Sequence, residues 1–201
     1  VVTEKTRIAM PEVTIALYPD AGGSWFLNRM PAPNGLFLAL TGASINATDS
    51  LFVGIADYFI NHDALETVLS VLLTQPWSTT YQHNQDLISE LLTVFASTCE
   101  QVISEDNAKS SLKSNLGTIQ QLCSSDNAVD IITAIANLKT EDPWLIGART
   151  NLVAGSPLSA LVIYRQLKIV SKMTLAEVFQ AEIQLSTNIT RYPEFTEEEG
   201  W

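Results

Sequence analysis

Apolar residues recur three and four positions apart through most of the chain beyond residue 63, which is the spacing of one buried helix face. Asp63 with Glu66 makes a capping-box-like start to a helix reaching about residue 74, and Pro76 closes it. Leu87, Leu91, Leu92 and Phe95 stripe the next helix. Leu112, Leu116, Ile119, Leu122 and Cys123 stripe another. Asp126 is the expected cap of a helix to about residue 138. Asp142-Pro143 and Ser156-Pro157 each set a cap before a first-turn proline, for helices stopping near Gly155 and Val170. Thr174 with Glu177 opens the last helix, to about Asn188. The polar stretch 104–111 reads as a loop and the acidic stretch 194–199 as a solvated tail. The stripes read as packing surfaces, and no internal repeat of fixed period is evident.

The first sixty residues have a different texture, rich in Gly and Pro with short elements. Residues 7–10 and 57–60 are expected as short strands. A Pro-Asp-Ala-Gly-Gly turn at 19–23 feeds a helix over about 24–30. Helices are also expected over 34–41, ended by Gly42 in the left-handed region, and over 47–53, capped by Asn46 and stopped by Gly54.

Charge and composition narrow the function classes. The 201 residues carry 22 acidic and 11 basic side chains, a net charge of −11, with no Lys/Arg cluster to neutralise phosphates. Nucleic acid is therefore not the expected ligand. No apolar run reaches the ~18–20 residues needed to span a bilayer, and no membrane partner is expected; the chain reads as soluble. Only 16% of residues are charged against roughly 25% in an average soluble chain, which hints at surface buried against a partner. With 46% apolar residues, disorder is excluded for most of the chain. The start lacks the features of a signal or transit peptide and opens on Val1 rather than Met, which fits processing or a piece of something longer.

Few residues are placed for chemistry. His62 and His83 stand far apart with no metal-ligand spacing, so no metal site is expected, and both read as surface or capping histidines. Cys99 and Cys123 stand apart from any C-x-x-C pair and read as reduced structural thiols in a reducing compartment. The sequons at Asn46 and Asn188 carry little weight without a secretory signal. A G-x-S-x-G elbow, a P-loop and a G-x-G-x-x-G turn are all lacking. What remains is Met10-Pro-Glu-Val-Thr-Ile-Ala-Leu-Tyr-Pro-Asp-Ala-Gly-Gly23. In it Glu12 and Asp20 each follow a proline and flank an apolar run. Loss of hydration raises the pKa of a carboxylate so placed and suits it to proton transfer or nucleophilic attack. On the residues alone, both also suit ordinary turn and cap positions at the ends of a buried segment.

The stretch from Met10 through Ser24-Trp-Phe-Leu-Asn-Arg-Met30, followed by Gly35-Leu-Phe-Leu-Ala-Leu-Thr-Gly42, resembles the enoyl-CoA hydratase/isomerase (crotonase) superfamily. Within it, Pro19-Asp20 favours the branch of 3-hydroxyisobutyryl-CoA hydrolases, because most hydratases of the superfamily carry Gly where Asp20 stands. Residues 156–168 and 174–182 are similar to the C-terminal helices of the same enzymes. The resemblance covers most of the chain, weakly between 78 and 125. It implies an α+β, mostly α, crotonase-like fold: a C-terminal remnant of the ββα spiral over 1–60 carrying the acidic site, and a helical domain over 61–201. It also implies hydrolysis of an acyl-CoA thioester in valine catabolism, with coenzyme A entering as part of the substrate and no separate cofactor. Glu12 matches the catalytic glutamate, as nucleophile or general base. Asp20 matches the second acidic residue, holding the substrate hydroxyl or managing a proton on water. Both are therefore candidate catalytic and substrate-binding residues.

In the superfamily the oxyanion donors lie upstream of the Pro-Glu motif, in a strand end and a Gly-Gly-Gly segment that opens a helix, and this sequence has no residues matching those elements. The expectation is thus an incomplete chain of weak or no activity, partnered by a missing N-terminal part of the same protein, with room for a homo-oligomer. The element Phe195-Thr-Glu-Glu-Glu-Gly200-Trp201 is similar to the family's Phe-x-Glu-Gly element but breaks off early. The cytoplasm, or the mitochondrial matrix in a eukaryote, is the expected location. Hydration or isomerisation of an enoyl-CoA is the alternative within the superfamily; a non-catalytic helical interaction module is the alternative outside catalysis.

Overall fold

The computed structural model describes residues 1–97 and 109–191. Cys99, most of the expected loop 104–111, the acidic stretch 194–199 and the element 195–201 lie outside the described residues. The helices are α1 (Gly23–Leu27), α2 (Asn34–Thr41), α3 (Ala47–Phe52), α4 (Leu65–Leu73), α5 (Tyr81–Ser97), α6 (Ser111–Ser114), α7 (Leu116–Leu122), α8 (Ala128–Ala136), α9 (Pro143–Ala154), α10 (Pro157–Val170) and α11 (Leu175–Ile189), with 3-10 turns at Glu12–Ile15 and His62–Ala64.

Asn46, Asp142, Ser156 and Thr174 cap their helices as expected. Each side-chain oxygen accepts main-chain N–H groups of the first turn, which have no partner within the helix. Asn46 with Asp49, and Thr174 with Glu177, form complete capping boxes. The Asn46 sequon is thereby committed: its Oδ1 accepts from Asp49 N, and its Nδ2 donates to the Lys109 carbonyl.

Other starts differ from expectation for local reasons. Asn61 takes the Asp63 N–H at 3.1 Å, so a 3-10 turn forms first and no Asp63–Glu66 box is made. Asn127, not Asp126, caps α8, accepting from Val129 N at 2.8 Å and Asp130 N at 3.4 Å. Asp126 instead lies 3.4 Å from the Lys168 ammonium. The stripe from Leu112 to Cys123 is split into α6 and α7 at Asn115, and α1 stops at Leu27, shortly before Pro31 denies the helix a donor. The two expected strands contract to single bridges, Ile8 with Ile45 and Val2 with Phe59. Short extended segments need a neighbouring strand to ladder with.

Contacts divide the chain into residues 1–8 with 45–113, and residues 9–44 with 114–201. The boundary expected in sequence at residue 60 falls inside the first of these units. In the first unit, Ile60, Val68 and Leu92 form a core flanked by Leu72, Ile88, Leu91 and Phe95. The buried Asp49 carboxylate there accepts from Ser110 Oγ at 2.6 Å and Leu112 N at 3.0 Å.

In the second unit, α2 is the hub, touching α1, α7, α9, α10 and the turn Glu12–Ile15. Phe37 and Leu40 of α2, Ile131 and Ile135 of α8, Leu145 of α9 and Ile163 of α10 are fully buried. Each such side chain contributes roughly 1.5–3 kcal/mol. The rings of Phe37 and Trp144 lie 5.7 Å apart, and the Trp144 indole donates to the Ser44 carbonyl at 2.7 Å. This core supports the turn that carries Glu12.

Candidate functional site

Glu12 opens a 3-10 turn held tightly on both sides. Before it, Pro11 lies against Gly42, where a β-carbon would meet Pro11 Cα at 2.8 Å; Gly42 also sits at φ +56°, which favours glycine. After it, the Val13 carbonyl accepts from Ser156 N at 3.0 Å, and Gly155 lies directly beneath. Within the turn, the Pro11 carbonyl accepts from Thr14 N and Thr14 Oγ1, and the Glu12 carbonyl accepts from Leu17 N. Ala16 closes it at φ +55°, a left-handed conformation costing about 1–2 kcal/mol for a residue with a β-carbon.

Asp20 stands on the next turn, with Ala21 at φ +51° and Gly22 at φ +86° behind it. Helix α11 holds this turn. The buried Glu182 carboxylate accepts from Gly22 N at 2.7 Å and from Ser24 Oγ at 2.5 Å. Tyr18 donates its hydroxyl proton to the Glu182 carbonyl at 2.8 Å, and its oxygen lies 2.9 Å from Ser186 Oγ. Ser186 Oγ is also 3.5 Å from Asp20 Oδ2.

Both carboxylates are thus brought to neighbouring turns of one unit. Glu12 is half-buried, and its Oε2 is buried without a hydrogen-bond partner. Burial pushes its pKa above the ordinary carboxyl value; a main-chain hydrogen bond opposes this, and the Asp20 charge adds to the rise. Burial also pushes Tyr18 up to about 12, the Ser186 hydrogen bond opposing and the Glu182 and Asp20 charges assisting. A desolvated carboxylate beside a second one can act as base, nucleophile or hydrogen-bond acceptor.

Other candidates stand apart. His62 donates its main-chain N–H to Glu4, and the described residues contain no group of three or more His, Cys, Asp or Glu able to hold a metal ion. Burial pushes the Cys123 thiol up to about 12, leaving it protonated and unreactive at neutral pH. A cavity of about 290 Å3, walled by Leu27, Met30, Leu36, Tyr164, Leu167 and Lys168, is lined by neither carboxylate. No helix among the described residues is long and apolar enough to cross a membrane.

Sequence reasoning missed Glu182, Ser186 and Tyr18 as members of the site. Their spacing gave one weak signal: Glu182 and Ser186 are four apart, on one face of α11, whereas the burial of Glu182, 3% exposed, is seen only in the fold.

The family described as enoyl-CoA hydratase/isomerase matches residues 1–198. The chain is 32% identical over 187 residues to a mitochondrial 3-hydroxyisobutyryl-CoA hydrolase of Danio rerio, covering 92% of this chain and 46% of that protein. It is 28% identical over 205 residues to the small ribosomal subunit protein mS47 of Neurospora crassa, covering 98% of this chain and 40% of that protein. Among solved structures, a carnitinyl-CoA dehydratase from Mycobacterium thermoresistibile superposes with a TM-score of 0.77 at 25% identity, over 98% of this chain and 52% of that one. The chain therefore belongs to the enoyl-CoA hydratase/isomerase family and has a mostly helical, crotonase-like fold. It spans about half the length of the curated relatives it matches.

Proposed function

We propose that this chain carries the acidic side of a thioester-hydrolysing site of the 3-hydroxyisobutyryl-CoA hydrolase kind. The observation that supports this best is the buried, unpartnered Glu12 Oε2 with the Asp20 charge close enough to raise the Glu12 pKa. In one route the Glu12 carboxylate adds to the thioester carbonyl carbon. The C–S bond breaks, CoA leaves as thiolate and takes up a proton, and water cleaves the resulting anhydride. In the other, Glu12 takes a proton from water as the water attacks. Either route yields 3-hydroxyisobutyrate and CoA. Asp20 holds the substrate hydroxyl or receives the proton from water. The oxyanion formed needs preorganised N–H donors. We propose that these, together with the basic contacts that a chain of net charge −11 lacks for an anionic CoA, come from protein outside these 201 residues. On this reading the chain alone turns over little or no substrate, CoA is the only cofactor-like group, the location is the cytoplasm, or the mitochondrial matrix in a eukaryote, and room is left for a homo-oligomer.

The test uses the full gene product. Asp20→Gly should abolish hydrolysis of 3-hydroxyisobutyryl-CoA; full hydrolysis by that variant overturns the reading. Hydration of an enoyl-CoA by the unaltered protein, undiminished in Asp20→Gly, would favour the enoyl-CoA alternative. A second reading, a non-catalytic packing module, draws on the similarity to a protein named for a ribosomal subunit. Thioester turnover lost in both Glu12→Gln and Asp20→Asn speaks against it.

A further inference from the structure

We infer that one turn of α11, from Glu182 to Ser186, positions Asp20 for the reaction, so that Glu182 and Ser186 are positioning residues. This rests on the hydrolase reading for its catalytic consequence, though not for its geometry.

Asp20 lies on a turn with two successive left-handed residues, Ala21 and Gly22, and Ala21 adopts that conformation at a cost of about 1–2 kcal/mol. Such a turn persists only where its surroundings hold it. Helix α11 does so from both flanks. Behind Asp20, the two Glu182 oxygens take one main-chain and one side-chain donor, Gly22 N and Ser24 Oγ. Ahead of it, the Glu182 carbonyl and Ser186 Oγ take up the Tyr18 hydroxyl. The spacing of four residues puts both contacts on one face of the helix.

The polarity of this chain of hydroxyls is fixed at its Tyr18 end. A carbonyl has no proton to give, so Tyr18 donates to Glu182. Ser186 then has one proton and two acceptors, the Tyr18 oxygen at 2.9 Å and Asp20 Oδ2 at 3.5 Å. An ionised Asp20 is the stronger acceptor. The 3.5 Å separation is the long edge of hydrogen bonding. Ser186 thus restrains one oxygen of Asp20 without committing it, leaving the carboxylate able to lean toward a substrate hydroxyl or a water.

The experiment compares Ser186→Thr and Ser186→Val, which share a shape and differ in the hydroxyl, in the full gene product. Each is measured with and without Asp20→Asn, using 3-hydroxyisobutyryl-CoA. Ser186→Val should lower kcat about tenfold or more, as expected for a displaced reacting group. It should leave KM within about threefold and shift the acid limb of the pH profile, whereas Ser186→Thr restores most of the rate. In the Asp20→Asn background Ser186→Val should add no further loss. The inference is overturned if Asp20→Asn lowers turnover while the Val and Thr variants behave alike, or if the losses simply add in the turnover that Asp20→Asn retains. In the full gene product, Glu182→Gln should move the Gly22 amide resonance upfield as its carboxyl acceptor is replaced by an amide. An unmoved Gly22 amide overturns the hold itself. Turnover unchanged in Asp20→Asn, with the Gly22 shift observed, instead strikes the hydrolase reading and the catalytic role drawn from it, leaving the hold standing.

Discussion

Gly155 lies so close to Val13 that a β-carbon on it would meet the Val13 carbonyl oxygen at 2.6 Å. Its φ of −81° suits any residue, so the demand there is for space rather than for backbone freedom. Gly155→Ala should push the Val13 carbonyl away from Ser156 N, displacing the turn that carries Glu12. The expected cost is about 1–3 kcal/mol in urea unfolding, with faster hydrogen exchange at the Ser156 amide. Unchanged stability and exchange would mean the turn moves freely.

Glu12 should destabilise the chain as pH rises. Its folded pKa is raised, so between the unfolded and folded values the folded state holds the proton and the unfolded state has lost it. Stability therefore falls through the carboxylate range and stays lower above it. Glu12→Gln should unfold about 2 °C higher than the unaltered chain near pH 7, with the gap closing in acid. A gap that instead widens in acid contradicts the assigned direction.

Asn127→Ala should cost about 0.5–2 kcal/mol by removing the cap of α8. Asp126→Ala removes only an exposed ion pair and should cost well under about 1 kcal/mol. Thermal unfolding of the two variants decides between adjacent cap candidates, and the reverse order would restore the sequence expectation.

Tyr18→Phe deletes a donor to the Glu182 carbonyl and a neighbour of Ser186, and should cost about 1–2 kcal/mol. In the unaltered chain the Tyr18 phenol, raised to about 12, should ionise later than an ordinary tyrosine. Ultraviolet titration should therefore lose its last component in Tyr18→Phe. Loss of an early component instead would place Tyr18 in water.

Much of this architecture is legible in sequence wherever the determinant is local. A cap followed by proline, as at Asp142-Pro143 and Ser156-Pro157, specifies a helix start within four residues. Gly42 likewise marks the end of α2. Where two cap-competent residues stand near one another, as at Asn61 and Asp63 or Asp126 and Asn127, geometry decides and the sequence does not. The carboxylates Glu12 and Asp20 are legible as candidates because each follows a proline beside an apolar run, and the family resemblance sets them apart from ordinary turn and cap residues. Their support is not visible, because Tyr18 meets Glu182 and Ser186 across more than 160 positions. Nor does hydropathy betray Glu182, an acidic residue on a helix that reads as amphipathic, until the fold shows both its oxygens facing the Asp20 turn.

The most direct measurement is release of free CoA thiol from 3-hydroxyisobutyryl-CoA by the full gene product and its Glu12→Gln variant, at equal folded concentration. The account predicts turnover by the unaltered protein and a loss of about a hundredfold or more in kcat for Glu12→Gln. Turnover in Glu12→Gln within a few-fold of the unaltered protein would contradict it.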